Sequence, residues 1–480
     1  MKSVAFHNLG CKVNSYELDV MRQYFQKNNY SIVDFAQKAD IYIINTCTVT
    51  NIADRKSRQM IHKAKAQNPH AVVVAVGCYV QTHEKELAGE EGIDLAVGND
   101  RKKDIVSLVE EYLALREAEA AGPGERGEKE EQEESALCEE KTLGGTSILD
   151  LTKPRPYEEM QLFKTAEHTR AYIKIQDGCD QFCSYCAIPY ARGRVRSRKP
   201  ENVLEEARGL AKSGYRELVL TGIHVSSYGL DFYHKKYNQV YEDDTYSHSG
   251  YLLSLIRELA DIPGIDRIRL SSLEPRIITE EFAKELSGIP EVCPHFHLSL
   301  QSGCDSVLER MNRRYTCEDF RQSVACLRKY YEDPAVTTDI ICGFPGETEE
   351  EFEETLRYVE GIGFYETHIF PYSRRKNTAA DRMSGQLTQK VKKERCGRLL
   401  ELNERQSAAY RKRFLDKSLP VLWEQEKQIK GESCLVGHTP NYLEVALLPE
   451  GEWPAIGTIT DCLLSELMDE GLIRGKILLF

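Results

Sequence analysis

At 480 residues the chain is too long for one compact core, and typical domain sizes of roughly 100–200 residues predict three domains. Hydrophobic residues at 41% and charged residues at 29% exclude a fibrous, collagenous or wholly disordered protein, and no apolar run approaches the roughly 18–20 residues that span a bilayer. The formal charge of −13, taken at face value, argues against a nucleic-acid partner.

Met1-Lys2-Ser3 leads into a short strand-like run rather than a signal sequence, and the expectation is a cytoplasmic protein away from membranes. In that reducing compartment the 15 cysteines read as metal ligands or buried thiols rather than disulfides. From there strand and helix signals alternate: Val4 to Leu9, Asn14 to Asn28, Ile41 to Asn45, Asn51 to Asn68, Ala71 to Val76, then Ile93 to Val97 and Lys102 to Leu115. Continuous Val/Ile runs between amphipathic helices predict a doubly wound parallel α/β domain over 1–115. Between Arg116 and Glu140 ten Glu face three Arg or Lys, a net of −7. A stretch so poor in apolar residues cannot offset its ordering entropy, so 116–164 reads as an acidic flexible linker or insertion.

After it, strand signals at Ala171–Gln176, Glu217–Thr221, Arg267–Ser271, His295–Leu300, Ala335–Cys342 and Glu366–Phe370 alternate with helices at Glu201–Ser213, Tyr251–Ala260, Glu280–Leu286, Asp305–Tyr331 and Thr348–Gly361. Thr348 with Glu351 forms a capping box for the last. Six βα units predict a partial (βα)6 barrel over 165–417, with reactive groups at the carboxyl ends of its strands. The domain closes with a basic helical extension from Gln389 to Lys417. Short strands at Val421–Glu424, Tyr442–Leu447, Gly457–Leu464 and Arg474–Leu479 predict a small β-barrel over 418–480.

Two sets of cysteines stand out. Cys179, Cys183 and Cys186 lie within eight residues on a loop that Gly178 opens, directly after the first barrel strand. A structural zinc site would want a fourth ligand, whereas three ligands on a four-iron cluster leave one iron open. Cys11, Cys47 and Cys78 each follow closely on a strand of the first domain. A parallel sheet would bring all three to its carboxyl edge, where open α/β sheets bind ligands; a single cysteine at such a place is usually a small buried residue. The expectation is a second cluster, again with an open iron.

The C-x3-C-x2-C spacing with an aromatic before the third cysteine resembles the radical S-adenosylmethionine (SAM) superfamily. In that superfamily one electron from the cluster cleaves SAM to a 5′-deoxyadenosyl radical. With the second triad, the blocks Asn8-Leu9-Gly10-Cys11-Lys12-Val13-Asn14, Asn45-Thr46-Cys47-Thr48-Val49-Thr50 and Ile188 to Arg198 resemble the radical SAM methylthiotransferases. The terminal barrel would correspond to their TRAM domain. Thr221 to Gly229 and Leu9 to Asn14 resemble the subgroup that methylthiolates C2 of N6-threonylcarbamoyladenosine at tRNA position 37. Alternatives are a sister enzyme acting on isopentenyladenosine or on a ribosomal-protein aspartate, or an iron–sulfur RNA-binding or sensor protein without radical chemistry.

The resemblance implies two 4Fe-4S clusters and SAM in two roles, methyl donor and radical source. It places Tyr185, Tyr372 and Ser373 near the adenine, Thr221, Gly222 and Gln301 at the methionine and ribose parts, and Gly343 and Gly346 at the adenosyl part. Each of these could equally be structural. Implied partners are tRNA, an electron donor such as flavodoxin or ferredoxin, and a sulfur source. His224, His295, His297 and His368 read as packed histidines, and Cys138 and the remaining cysteines as plain thiols.

Charge read locally points to the RNA contact. Arg192, Arg194, Arg196 and Arg198 follow the cysteine loop, and Arg374 to Lys417 holds fourteen basic against five acidic residues, a net of +9. Such runs suit a phosphate backbone, though they are often solvated helix faces. Ser418 to Phe480 is instead acidic, net −6, which argues against bulk charge as the terminal barrel's means of contacting RNA.

Overall fold

The computed structural model describes residues 1–87, 92–120, 146–153, 155–164, 169–237, 248–449 and 453–477. It divides into two compact units: Met1–Leu162 with Gly178–Asp180 and Cys186–Arg194, and Phe163–Asp177 with Gln181–Tyr185 and Val195–Phe480. Where three domains are expected, the central and terminal ones thus form one unit.

In the first unit, β1 (Ser3–Asn8), β2 (Ser31–Val33), β3 (Ile41–Thr46), β4 (Val72–Gly77), β5 (Leu95–Val97) and β6 (Thr146–Ser147) make a sheet in the order β2-β1-β3-β4-β5-β6. Every pairing in it is parallel. β3 and β4 are buried along their whole length, as apolar runs covered on both faces must be. Chain direction across the sheet reverses between β1 and β3, the switch point at which such sheets bind ligands.

The linker expectation fails for part of its range. The helix Ile105–Ala120 runs past residue 115, and β6 extends the sheet. Leu149, Leu151, Met160 and Leu162 are buried in this unit, and Tyr16 Oη donates to the Met160 carbonyl at 2.8 Å. The acidic composition that motivated the expectation ends near Glu140; beyond it apolar residues return and can offset ordering entropy. Residues 121–145, including Cys138, lie outside the described residues.

In the second unit, β7 (Ala171–Asp177), β9 (Glu217–Gly222), β10 (Arg267–Leu270), β11 (His295–His297), β12 (Ala335–Cys342) and β13 (Glu366–Pro371) follow one another in parallel. The parallel bridges Ile268 to Val292 and Leu273 to Leu298 link β10 to the β11 side. β8 (Arg196–Ser197) lies antiparallel on the β7 edge. This is the expected partial barrel. The Thr348/Glu351 capping box is present. The single helix expected over Asp305–Tyr331 is two, Asp305–Arg310 and Cys317–Tyr330, because Asn312 takes φ 57° and Thr316 with Asp319 forms a second capping box.

β14 (Ser418–Ile429), β15 (Glu432–His438), β16 (Glu444–Leu447), β17 (Ile459–Leu467) and β18 (Ile473–Ile477) close into a barrel in the order β14-β15-β16-β18-β17. A buried ionic joint fixes it to the amino ends of β9 and β10. Arg269 Nε donates to Glu217 Oε1 at 2.7 Å and its Nη1 to the Pro440 carbonyl at 2.9 Å. Arg267 donates to the carbonyls of Pro420 and His438. Burial alone would raise the Glu217 carboxyl, but the arginines, Arg269 first, hold it at about 2.

Candidate functional site

The first cysteine set is assembled by the sheet. Asn8 pairs with Asn45 and Thr46 with Gly77, so Cys47 and Cys78 leave β3 and β4 at the same level. Gly77 takes φ 100°, and a Cβ there would meet Asn45 Oδ1 at 2.6 Å and the Thr46 carbonyl oxygen at 2.8 Å, so only glycine allows the turn into Cys78. Cys47 packs against Gly10, where a Cβ would lie 3.3 Å from Cys47 Sγ. Cys11 occupies the position before the helix Lys12–Lys27 and Cys78 opens the short helix Cys78–Thr82.

The three thiols influence one another. Burial pushes Cys47 up to about 12, and the neighbouring Cys78 and Cys11 add to the shift. Cys11 lies at the surface yet is shifted the same way, by desolvation first, against the pull of Arg192. Three deprotonated sulfurs here therefore need added positive charge, which an iron–sulfur cluster supplies. The donor set fits such a group.

Beneath them lies a buried ion network that sequence reading missed. Arg192, fully buried, donates from Nη1 to Glu17 Oε1 at 2.8 Å and from Nη2 to Asn14 Oδ1 at 2.8 Å. Buried Lys102 donates to Glu17 Oε2 and, at 2.8 Å, to Asn99 Oδ1. Asn99 Nδ2 lies 3.6 Å from Cys78 Sγ. Arg192 and Lys102 both meet Glu17, and in this network the charge of Arg192 bears most on Cys11. The signal was available: Glu17 sits on the helix stripe of Val13, Val20 and Met21, all buried.

The cysteine loop begins at Gly178, where a Cβ would fall 1.8 Å from the Arg194 carbonyl oxygen. Cys179 N–H donates to the Gly193 carbonyl at 3.0 Å, and Cys186, half-buried, precedes the short helix Ile188–Arg192. In the second unit, buried Cys183 accepts from Arg313 Nη1 at 3.1 Å. Around Arg313 stand Tyr315, which accepts from its Nε at 2.9 Å, and Glu274. Glu274 accepts from Gln181 and Arg276 and lies 3.2 Å from His224 Nε2. Burial would raise the Glu274 carboxyl, but His224 and the two arginines hold it well below the usual carboxylate range. Sequence reading assigned none of these residues a role.

The residues expected around SAM gather in the same unit. Tyr185 meets Phe344 edge-on at 6.5 Å, and Phe344 meets buried Tyr372 at 5.4 Å. Ser373 follows, half-buried. Thr221 is buried at the end of β9, and Gly222 lies against Gln176, whose Oε1 accepts from His224 N–H. Gln301 takes φ 72° and bridges Ile340, its N–H donating to the Asp339 carbonyl at 2.9 Å. The amide of Gly343 donates to Glu347 Oε1 and that of Gly346 to the Gly385 carbonyl, which fixes this strand-to-helix turn.

The arginine run is corrected. Arg192 is enclosed by Glu17, Arg198 is fully buried with Nη1 at 2.6 Å from Glu206 Oε2, and Arg196 is 6% exposed beside Asp177, so none of the three faces a phosphate backbone. Arg194 alone of the four is exposed, its side chain at 55%, near Asp180. The basic extension is also largely answered by carboxylates: Arg395 by Glu347 and Glu349, Arg398 by Glu349 and Glu353, Arg411 by Glu366, and Arg413 by Asp333. No helix among the described residues is long and apolar enough to cross a membrane.

Residues 173–359 match the model of the radical SAM superfamily, and residues 3–98 that of the uncharacterized protein family UPF0004. A threonylcarbamoyladenosine tRNA methylthiotransferase MtaB of Bacillus subtilis is 40% identical over 96% of this chain and 93% of its own length. The protein of the same name from Aquifex aeolicus is 37% identical over 93% of this chain and 98% of its own. A tRNA-2-methylthio-N(6)-dimethylallyladenosine synthase of Moorella thermoacetica is 34% identical over 86% of this chain and 85% of its own. Among solved structures, the radical SAM methyltransferase TsrM of Kitasatospora setae shares the fold, with a TM-score of 0.51 at 18% identity over 79% of this chain and 77% of that one.

Proposed function

Because this chain belongs to the radical SAM methylthiotransferase family, we propose that it transfers a methylthio group to C2 of N6-threonylcarbamoyladenosine beside the tRNA anticodon. The observation that carries the reading is the assembly of Cys11, Cys47 and Cys78 at one sheet edge, in addition to the C-x3-C-x2-C loop. Cys11, Cys47 and Cys78 would hold an auxiliary 4Fe-4S cluster and Cys179, Cys183 and Cys186 the SAM-binding one; when bound, these groups and SAM supply the electron, the radical and the methylated sulfur. The protein's own residues hold and tune. Arg192 and Lys102 offset negative charge beside the auxiliary thiols, and Glu17 and Asn14 fix the arginine's direction. Arg313 donates to the Cys183 sulfur at 3.1 Å and fixes its position. Phe344 and Tyr372 back half-buried Tyr185 in one apolar cluster, and Tyr185, with Tyr372 and Ser373 nearby, would meet the adenine. Thr221, Gly222 and Gln301 would meet the methionine and ribose parts, and Gly343 and Gly346 the adenosyl part. Arg194 is the member of the arginine run that would meet a phosphate.

The threonylcarbamoyl substrate is favoured over the dimethylallyl one by the higher identity to relatives named for it. An electron donor such as flavodoxin or ferredoxin, a sulfur source and a cytoplasmic setting complete the reading. Mass spectrometry of tRNA nucleosides from a strain lacking this chain is the test. Loss of the 2-methylthio nucleoside, with its unthiolated precursor retained, is expected; an unchanged level overturns the substrate assignment.

A further inference from the structure

Three consecutive strands of the partial barrel bring a different set of ligands together. His297 ends β11, Asp339 lies in β12 and His368 in β13, and their nitrogen and carboxylate oxygen atoms all fall within 4.8 Å of one another. Strand register produces this. Asp339 pairs directly with His368, and His297 pairs with Thr337, two residues before Asp339 and therefore on the same face. The alternate residues, Phe296, Leu298, Val336 and Ile340, belong to the hydrophobic core, so the three ligands occupy the opposite, inner face.

We infer that His297, Asp339 and His368 form a mononuclear site for a divalent transition metal of the zinc or ferrous class, separate from the cysteine sets. A set of two histidines and one carboxylate is a recurrent ligand set for such ions, and it leaves coordination positions open. His297 is already oriented for the task. Its Nδ1 lies 3.0 Å from Thr337 Oγ1, while Nε2 lies 3.3 Å from Asp339 Oδ2. Fixing one ring nitrogen by a hydrogen bond while the other is aimed at the ion is the outer-shell arrangement of histidine ligands. The His297 and His368 rings are stacked with centroids 5.8 Å apart. Two bonds of about 2.1 Å at a tetrahedral angle hold their donors about 3.4 Å apart. His297 and Asp339 already stand 3.3 Å apart, and His368, the exposed member, closes the rest by side-chain rotation. One carboxylate and two neutral imidazoles leave the bound ion with net positive charge on the inner face, suited to water or an oxygen donor of a bound molecule.

The test uses the full-length protein with both clusters reconstituted anaerobically, washed with chelator and titrated with Zn2+. About one zinc per chain is expected, with nitrogen or oxygen scatterers near about 2.0–2.1 Å at the zinc edge and no sulfur near about 2.3 Å. His368→Ala and Asp339→Asn should each weaken zinc binding at least about tenfold, with iron content unchanged. His368 is exposed, so its variant decides the matter even if Asp339→Asn fails to fold. Absence of zinc uptake, equal uptake by His368→Ala, or a sulfur shell overturns the assignment.

Discussion

The two cysteine sets proposed as cluster ligands are brought together by opposite routes. Cys179, Cys183 and Cys186 are neighbours in the chain, so their grouping is nearly a property of the sequence. Cys11, Cys47 and Cys78 are scattered and meet only because β1, β3 and β4 end at one level of a parallel sheet. The scattered set also rests on the buried ions Glu17, Arg192 and Lys102, whereas Asp180 on the loop pairs with a half-exposed arginine. The loop set meets ions as well, half-buried Arg313 and buried Glu274 beside Cys183; in the scattered set the ions join the helix that follows Cys11 to distant segments.

The largest effect expected from this contrast is functional. Cys183→Ala should abolish both 5′-deoxyadenosine release from SAM and tRNA methylthiolation. Cys47→Ala should abolish methylthiolation while retaining 5′-deoxyadenosine release, with iron content falling to about half. Loss of both activities in both variants would mean that the two sets are not separable centres.

Next comes stability. Glu17→Gln strips the partner from two buried cations and should cost about 3–5 kcal/mol. Asp180→Asn, which breaks a pair with a half-exposed arginine, should cost less. Denaturant midpoints of the two variants compare them directly, and equal costs would remove the distinction between foundation and loop.

A third measurement asks whether the second unit has a buried charge foundation of its own. Glu217 is held at about 2 in the folded chain against 4.5 ordinarily, so it binds fewer protons folded than unfolded. Its contribution to stability is therefore present above about pH 4.5 and lost as pH falls toward about 2. Glu217→Gln should lower stability at neutral pH and flatten its dependence on pH across that window; an unchanged dependence would show that the joint between β9, β10 and the terminal barrel carries no ionic stabilisation.

Much of this was legible before the fold was seen. Alternating Val/Ile runs and amphipathic helices pointed to the parallel sheets, and the spacing and strand-end placement of the cysteines pointed to both proposed ligand sets. Burial of charge was not legible from charge alone. Arg192, Arg196 and Arg198 look like an exposed basic stripe, yet each meets a carboxylate supplied by a distant element: Glu17, Asp177 or Glu206. Such pairing depends on tertiary contacts that no local spacing encodes. Glu17 could have been suspected from its place on an apolar helix stripe. His297, Asp339 and His368 could not be grouped until strand register was known, because each taken singly is an ordinary strand residue.

The smallest effect tests the corrected arginine run. Arg194 is the exposed member, so Arg194→Ala should weaken tRNA binding evenly across sequences and reduce the slope of log affinity against log salt by about 1. Arg192→Gln touches no phosphate in this reading. It removes a buried cation beside Cys11 and Cys47, so the auxiliary iron should be lost while the salt slope of the folded protein stays as in wild type. Filter binding over a range of salt, with iron analysis of the same samples, separates the two. If Arg192→Gln lowers the salt slope and keeps its iron, the guanidinium reaches the RNA after all, and the buried network is not the foundation that distinguishes the scattered cysteines from the loop.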